Sequence, residues 1–240
     1  MKIVVFTSSF LRHRYLIDKI SKKFENVIYI CEKKPYIRSK ETKNKKEYFR
    51  KVKIVEKKIF KKIKLKKNVK KINFIYGSLN FKKLSKINGF LKANKFLVFG
   101  SSFIKGELFS FLKRKKAINI HMGVMPYYRG TDCNFWAIYD KNFDKVGATL
   151  MLLSKKIDDG KVLSIFKMSK NIKNSFLNHS MKSCKLSIDS FVEFLINNKR
   201  YSFQKTDKLN LIRLSKKKDF DDESIKYFYK LEKKVIKKVK

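Results

Sequence analysis

The chain has 240 residues, 43% of them hydrophobic, which suits one domain plus an extension and excludes wholesale disorder. No stretch approaches the ~18 apolar residues of a membrane span. Three widely spaced cysteines with no Cys-x-x-Cys pair exclude a disulfide framework and a zinc site, so no metal and a reduced, cytoplasmic setting are expected, while a net charge of +41 keeps polyanion binding in view.

Met1 to Phe10 is apolar but short. Arg12, His13 and Arg14 follow it without a small-residue cleavage site, so it reads as a buried strand and not a signal peptide. Lys2–Phe6 is that strand, and Phe10–Phe24 is a helix with Leu11, Tyr15, Ile17 and Ile20 near helical spacing. Asn26–Cys31 is a second strand, and Glu32–Lys46, charged and containing Pro35, is a loop. Lys46–Lys66 is helical, with Val52, Val55, Ile59 and Ile63 on one face. Ile72–Tyr76 is a strand ended by Gly77-Ser78, and Phe81–Leu91 is a helix. Phe96–Phe99 is a wholly apolar strand, Gly106–Lys113 a short helix and Ala117–His121 another strand. Alternating strands and helices, with strands apolar throughout, predict an α/β, Rossmann-like fold: a mostly parallel sheet flanked by helices. Val146–Leu153 and Lys161–Met168 then read as a hairpin. Ser175–Asn198 is an amphipathic helix in which Leu177, Met181, Cys184, Ile188, Phe191 and Leu195 step by three and four. The tail after Tyr201 is basic. Its helix, Asp219–Lys240, presents Ile225, Phe228, Leu231 and Val235 on one side and is expected to pack onto the domain. The division expected is a catalytic domain over 1–200 and a short helical C-terminal extension over 201–240.

Six of the eight glycines (Gly100, Gly106, Gly123, Gly130, Gly147 and Gly160) fall in one quarter of the chain, with Pro126, Trp136 and His121. Residues that fix unusual backbone geometry gather there, and there the chemistry is expected. On a strand, Asn119 and His121 project to the same side near its carboxyl end, where open α/β sheets place their sites. Thr131 or Asp132 caps a helix running to Ile138, and Asp158-Asp159-Gly160 makes an acidic turn. An amide and an imidazolium can both donate to an oxyanion, each such donor being worth roughly 3 kcal/mol of barrier. A carboxylate can orient the imidazole and accept a proton. Nothing in the set must become acylated, so it suits direct attack of an external amine on a carbonyl carbon. Cys133 reads as a small semi-buried thiol and Trp136 as core. His13 and His179 have no evident partners, and Arg129 either binds a substrate anion or braces its loop. Thr7-Ser8-Ser9 stands where a glycine-rich dinucleotide loop would follow the first strand, so no dinucleotide site is expected there.

Asn-x-His with a distant Asp is a weak signal alone, but the run from Ile118 to Leu163 is specific. Asn119-Ile120-His121, Pro126-Tyr127-Tyr128-Arg129-Gly130, Trp136-Ala137, Gly147-Ala148-Thr149 and Asp158-Asp159-Gly160 occur in that order. This resembles the formyltransferases that use 10-formyltetrahydrofolate. The resemblance implies a formyltransferase fold, that donor, and catalysis by Asn119 (polarising the formyl oxygen), His121 (stabilising developing charge) and Asp158 (organising the imidazole and removing the amine proton). It places the folate beside Val98, Phe99, Gly100, Ser101 and Ile104, with Ile157 and Asp159. Arg12, Gly123, Tyr128, Arg129 and Gly130 fall to the acceptor. Leu150-Met151 stands where many members carry a further His.

The residues after Arg200 are too few for the C-terminal barrel of methionyl-tRNA formyltransferases, and the start resembles the envelope-sugar branch. The acceptor implied is a small-molecule amine, an amino sugar carried on a nucleotide. A methionyl-tRNA formyltransferase-like enzyme is the alternative, and a non-catalytic basic RNA-binding protein on the same scaffold is another. The excess charge is Lys-rich, scattered, and accompanied by abundant Asn, Ile and Phe, which reads as compositional drift; nucleic acid is expected to bind only by weak electrostatics. A homodimer through the C-terminal segment is compatible with the sequence.

Overall fold

Every residue from Ile3 to Phe6 in β1 (Lys2–Ser8) is buried, and so is every residue from Val27 to Cys31 in β2 (Asn26–Lys33). Such strands serve two cores at once, because successive side chains point to opposite faces. Ile3, Val5, Val27 and Tyr29 enter one core; Val4, Phe6, Ile28 and Ile30 enter another. The structure, a computed structural model, describes residues 1–33, 42–61, 63–173, 175–197, 202–206 and 210–237. β3 (Val69–Ile75) and β4 (Lys95–Phe99) also serve both cores, whereas β5 (Ile118–His121), β7 (Gly147–Leu152) and β8 (Val162–Lys167) join the first core alone of the two. Among the described residues these five and β1 and β2 form one seven-stranded sheet, ordered β3-β2-β1-β4-β5-β7-β8. The first five are mutually parallel. β7 runs antiparallel to β5, and β8 returns against β7 as the expected hairpin, with a register shift at Leu150/Met151. Strand order reverses between β1 and β4, the kind of switch point that opens a crevice at the strands' carboxyl ends.

Helices α1 (Leu11–Ser21), α2 (Lys43–Phe60) and α6 (Phe176–Asn197) cover the first core. In α6, Cys184, Ile188, Phe191 and Leu195 are buried in the register that the three-four spacing predicts. Helices α3 (Phe81–Ser85) and α4 (Gly106–Arg114) cover the second through Leu84, Leu108, Phe111 and Leu112. Burying each of these large side chains contributes about 1.5–3 kcal/mol. Among the described residues, no helix is long and apolar enough to cross a membrane.

Three segments depart from the sequence reading. The helix expected over Phe81–Leu91 ends at Ser85. Leu84, Ile87 and Phe90 repeat every three residues, and stacked turns bury that pattern as well as a helix would: Ile87 N–H donates to Leu84 O, Phe90 N–H to Ile87 O and Ala93 N–H to Phe90 O. Glu32 and Lys33 extend β2, and α2 begins at Lys43, inside the expected loop; Pro35 lies outside the described residues.

The third departure is in the tail. Helix α7 (Asp222–Lys237) forms and packs onto the body, as expected. Its Ile225, Phe228 and Leu231 join Tyr48 of α2, Phe176 and Leu177 of α6, and Phe135 and Trp136 of α5 (Cys133–Tyr139) in a third core. Phe228 stacks on Phe135 with ring centres 4.6 Å apart. Asp221 and Ser224 cap its start reciprocally, Ser224 N–H to Asp221 Oδ1 and Asp221 N–H to Ser224 Oγ. Ahead of the helix, however, lies a strand, β9 (Arg213–Ser215), paired in parallel with β6 (Tyr128–Gly130). Neither three-residue strand is long enough to show alternation. The boundary expected at residue 200 lies outside the described residues.

Candidate active site

Ile118 and Ile120 of β5 point into the core beneath α1 and α6. Alternation therefore turns Asn119 and His121 to the opposite face. On β7 and β8 beside it, Met151 and Val162 pack with Met125 of the loop that follows β5. Asn119 sits in register with Val98 of β4 on one side and Met151 of β7 on the other.

The loop between β7 and β8 brings Asp158 onto this pair. Asn119 Nδ2 donates to Asp158 Oδ1 at 3.3 Å, His121 Nδ1 lies 3.2 Å from Oδ2, and the Gly130 N–H donates to Oδ2 at 3.1 Å. One carboxylate thus faces an amide, an imidazole and a main-chain N–H. Asp158 reaches this position with φ +43°, a region that Asp tolerates better than most residues. The other imidazole nitrogen, Nε2, lies 3.0 Å from Tyr128 O, so both ring nitrogens face oxygen acceptors. The His121 side chain is only 6% exposed and Asp158 14%. The sequence-predicted triad is brought together in direct contact.

Two glycines make the packing possible. A Cβ on Gly123 would stand 2.4 Å from His121 Nε2 and 2.7 Å from Cys133 Cβ, so the imidazole fits only because that atom is absent. Gly130 has φ +96°, and a Cβ there would lie 2.0 Å from Ser215 O of β9. Thr149 of β7 secures the same turn: its hydroxyl donates to Gly123 O at 2.7 Å and accepts from Met125 N–H at 3.0 Å.

Arg129 points to the acidic turn. Its guanidinium donates to Ile157 O at 2.6 and 3.2 Å and approaches Asp159 at 3.4 Å. Bracing of the loop is what this geometry performs. Tyr128 is buried; its hydroxyl accepts from Asn142 and donates to Asp140, and burial holds its pKa up at about 12. Burial first, and the Asp158 charge second, hold the Cys133 thiol well above its usual range, so it stays protonated and is not a nucleophile.

The residues Val98, Phe99, Gly100, Ser101 and Ile104 lie at the carboxyl end of β4, next to Asn119. Val98, Phe99 and Ile104 are buried, whereas Gly100 and Phe103 are exposed. Glu32, fully buried at the end of β2, ties this loop down. It accepts from Ser102 N–H and Oγ at 2.6 and 2.7 Å, and from Gly77 N–H at 2.8 Å. Arg12 is not brought to the triad; its guanidinium pairs with buried Glu56 of α2 at 2.8 Å. His13, without an evident partner in sequence, is buried, and its Nδ1 accepts from Ser8 N–H at 3.2 Å with Ser8 Oγ 2.6 Å away. His179 is buried on α6, and burial lowers its pKa.

Sequence reasoning gave no role to Thr149, Glu32, Arg213 or Ser215. Thr149 was visible in the Gly-x-Thr motif. Glu32 left one trace, an acid ending an otherwise apolar strand. Arg213 and Ser215 left none.

No protein-family model and no curated protein sequence matches the chain. Solved structures do. A 4-N formyltransferase from Francisella tularensis matches with a TM-score of 0.54 at 20% identity, over 88% of this chain and 75% of that one. The formyltransferase PseJ from Anoxybacillus kamchatkensis, in complex with UDP-4,6-dideoxy-4-formamido-L-AltNAc and tetrahydrofolate, matches with a TM-score of 0.54 at 16% identity, over 98% and 94%. Phosphoribosylglycinamide formyltransferase from Anaplasma phagocytophilum matches with a TM-score of 0.55 at 12% identity, over 82% and 85%. At these identities the likeness establishes the fold: this chain has the α/β fold of formyltransferases.

Proposed function

We propose that the chain transfers the formyl group of 10-formyltetrahydrofolate to a primary amine, with an amino sugar carried on a nucleotide as acceptor. The observation that carries this reading is the single Asp158 carboxylate held against both Asn119 and His121 on the open face of β5. The motif order through Ile118–Leu163 supports it, and so does the fold shared with a protein whose complex contains tetrahydrofolate and a nucleotide-linked formamido sugar.

The residues present fit such a donor. The β4 end offers main-chain groups around exposed Gly100 beside Asn119, with Phe103 exposed nearby; the acidic turn contributes the half-exposed Ile157 and the Asp159 carboxylate. Apolar side chains flanking polar main chain suit a flat heteroaromatic ring that is both stacked and hydrogen-bonded at its edge. Bound there, 10-formyltetrahydrofolate supplies an activated formyl carbon.

The side chains then have separable tasks. A primary amide carries two N–H donors, so Asn119 can hold Asp158 with one and meet the formyl oxygen with the other. His121, held at Nδ1 by Asp158 and at Nε2 by Tyr128 O, can donate toward the charge that develops on that oxygen once Nε2 turns from that carbonyl. Asp158 accepts the proton that the attacking amine must lose, directly or through one water, and can return it to the donor nitrogen whose bond to the formyl carbon breaks. Arg129 keeps the Ile157–Asp159 turn, and with it the carboxylate, in place.

The test is calorimetric titration with 5-formyltetrahydrofolate, a stable analogue, at moderate salt. Saturable one-site binding is expected, followed by conversion of a nucleotide-linked amino sugar to its formamide, read by mass. Well-folded protein that binds no folate analogue would remove the proposal.

A further inference from the structure

The catalytic loop is held from outside the sheet that carries it. Tyr128, Arg129 and Gly130 form β6, and its partner β9 comes from the tail, where Arg213, Leu214 and Ser215 pair with them in turn. The stitching is dense. Ile212 and Arg213 N–H both donate to Tyr127 O, at 2.9 and 3.0 Å, and Thr131 N–H donates to Ser215 O at 3.1 Å. The Ser215 hydroxyl reaches the carbonyls of Arg129 and Thr131. Arg213 forks onto Asp140 with contacts of 2.7 and 3.0 Å, its guanidinium lying 4.5 Å over the Trp136 ring. Asp140 in turn accepts from the Tyr128 hydroxyl at 3.2 Å.

Both ends of this stitching touch the triad. Tyr128 O is the acceptor at His121 Nε2, and Gly130 N–H is the main-chain donor at Asp158 Oδ2. Gly130 can approach Ser215 O only because it lacks a Cβ. We infer that Arg213 and Ser215 are positioning residues for the reaction: through β6 they fix Tyr128 O and Gly130 N–H, and so the orientation of His121 and Asp158. Neither residue contacts the triad itself. The inference rests on the formyl-transfer reading for its consequence in rate, but the geometry can be read without turnover.

The experiment uses the full chain as wild type and as Arg213→Lys, Arg213→Ala and Ser215→Ala, each checked for wild-type circular dichroism. The chain has three histidines, so 15N-histidine labelling gives few ring signals, and His121 is identified by the loss in His121→Gln. In Arg213→Ala the His121 ring signal is expected to move while those of His13 and His179 stay. Its kcat should fall by about tenfold or more with KM for donor and acceptor within about twofold, the split that marks lost transition-state alignment. Ser215→Ala should show the same pattern more weakly. Arg213→Lys should recover part of kcat, since a lysine keeps the charge beside Asp140 but not the fork.

An unmoved His121 signal with unchanged kcat in all three folded variants would overturn the inference. So would a raised acceptor KM at constant kcat, which would mean that β9 meets substrate directly. A His121 ring signal that moves in Arg213→Ala, while the wild type itself forms no formamide, would support the positioning and sink the formyl-transfer reading alone.

Discussion

Asp158 faces three donors at once, and each restricts what the others can do. In the proposed reaction its carboxylate accepts the incoming proton, and Asn119, His121 and Gly130 N–H hold its two oxygens in place. Asn119→Ala, His121→Ala and Asp158→Ala are each expected to fold and to lose formyl transfer by about a hundredfold or more in kcat; single-turnover rates check this, and wild-type rates in all three would end the assignment. A subtler expectation concerns Gly123. Alanine there adds one atom 2.4 Å from His121 Nε2, so Gly123→Ala should retain folate-analogue binding yet lose turnover comparably to His121→Ala. Equal loss of binding would instead show a collapsed loop. At this scale the shared face of Asn119 and His121 was legible from two-residue alternation, and the contact of Asp158 with both was foreshadowed only by the motif's resemblance. Why Gly123 must be glycine was not, since the reason is an imidazole folded back against it.

At the scale of elements, the long apolar strands and α6 were readable because each repeats a period over many residues. β6 and β9 were not, because three residues carry no period and their pairing depends on a contact between distant segments. α7 shows the intermediate case: its apolar face was visible, but not what it packs against. Its Phe228 is buried between Phe135 and Phe176, so Phe228→Ala should cost about 3–5 kcal/mol of unfolding free energy, measured by denaturant titration. Loss of less than about 1 kcal/mol would mean that the third core is incidental to stability. Glu232, also on α7, accepts from Phe176 N–H at the start of α6, yet burial raises its pKa above the ordinary 4.5. A carboxyl raised on folding stabilises the protein below its unfolded value, and that contribution is lost as pH rises through the folded value. Glu232→Gln keeps the acceptor without the charge. The melting-temperature difference between Glu232→Gln and wild type should therefore increase in the variant's favour as pH rises above about 4.5. A difference that shrinks over that range would refute the burial argument.

For the whole molecule, the dominant quantity is the charge of +41. Like charges spread over a folded surface repel one another, and added salt screens them over about 8–10 Å. Thermal stability should rise between dilute buffer and about 0.3 M sodium chloride, as scanning calorimetry would show. Retention on single-stranded RNA should fall by about tenfold or more over the same range, with no preference among sequences. Tight, salt-resistant and sequence-dependent RNA binding would contradict compositional drift and favour a nucleic-acid acceptor. Composition alone could pose this question but not resolve it, because scattered lysines and a dedicated binding face have the same count.

The pairing of β6 with β9 also governs timing. During synthesis the seven-stranded sheet can be complete once β8 and α6 have left the ribosome, while the turn beneath His121 still lacks the strand that fastens it. Formyl transfer should accordingly trail secondary structure in refolding, and a nascent chain stalled just before Arg213 should be built around a hydrophobic centre yet be unable to work.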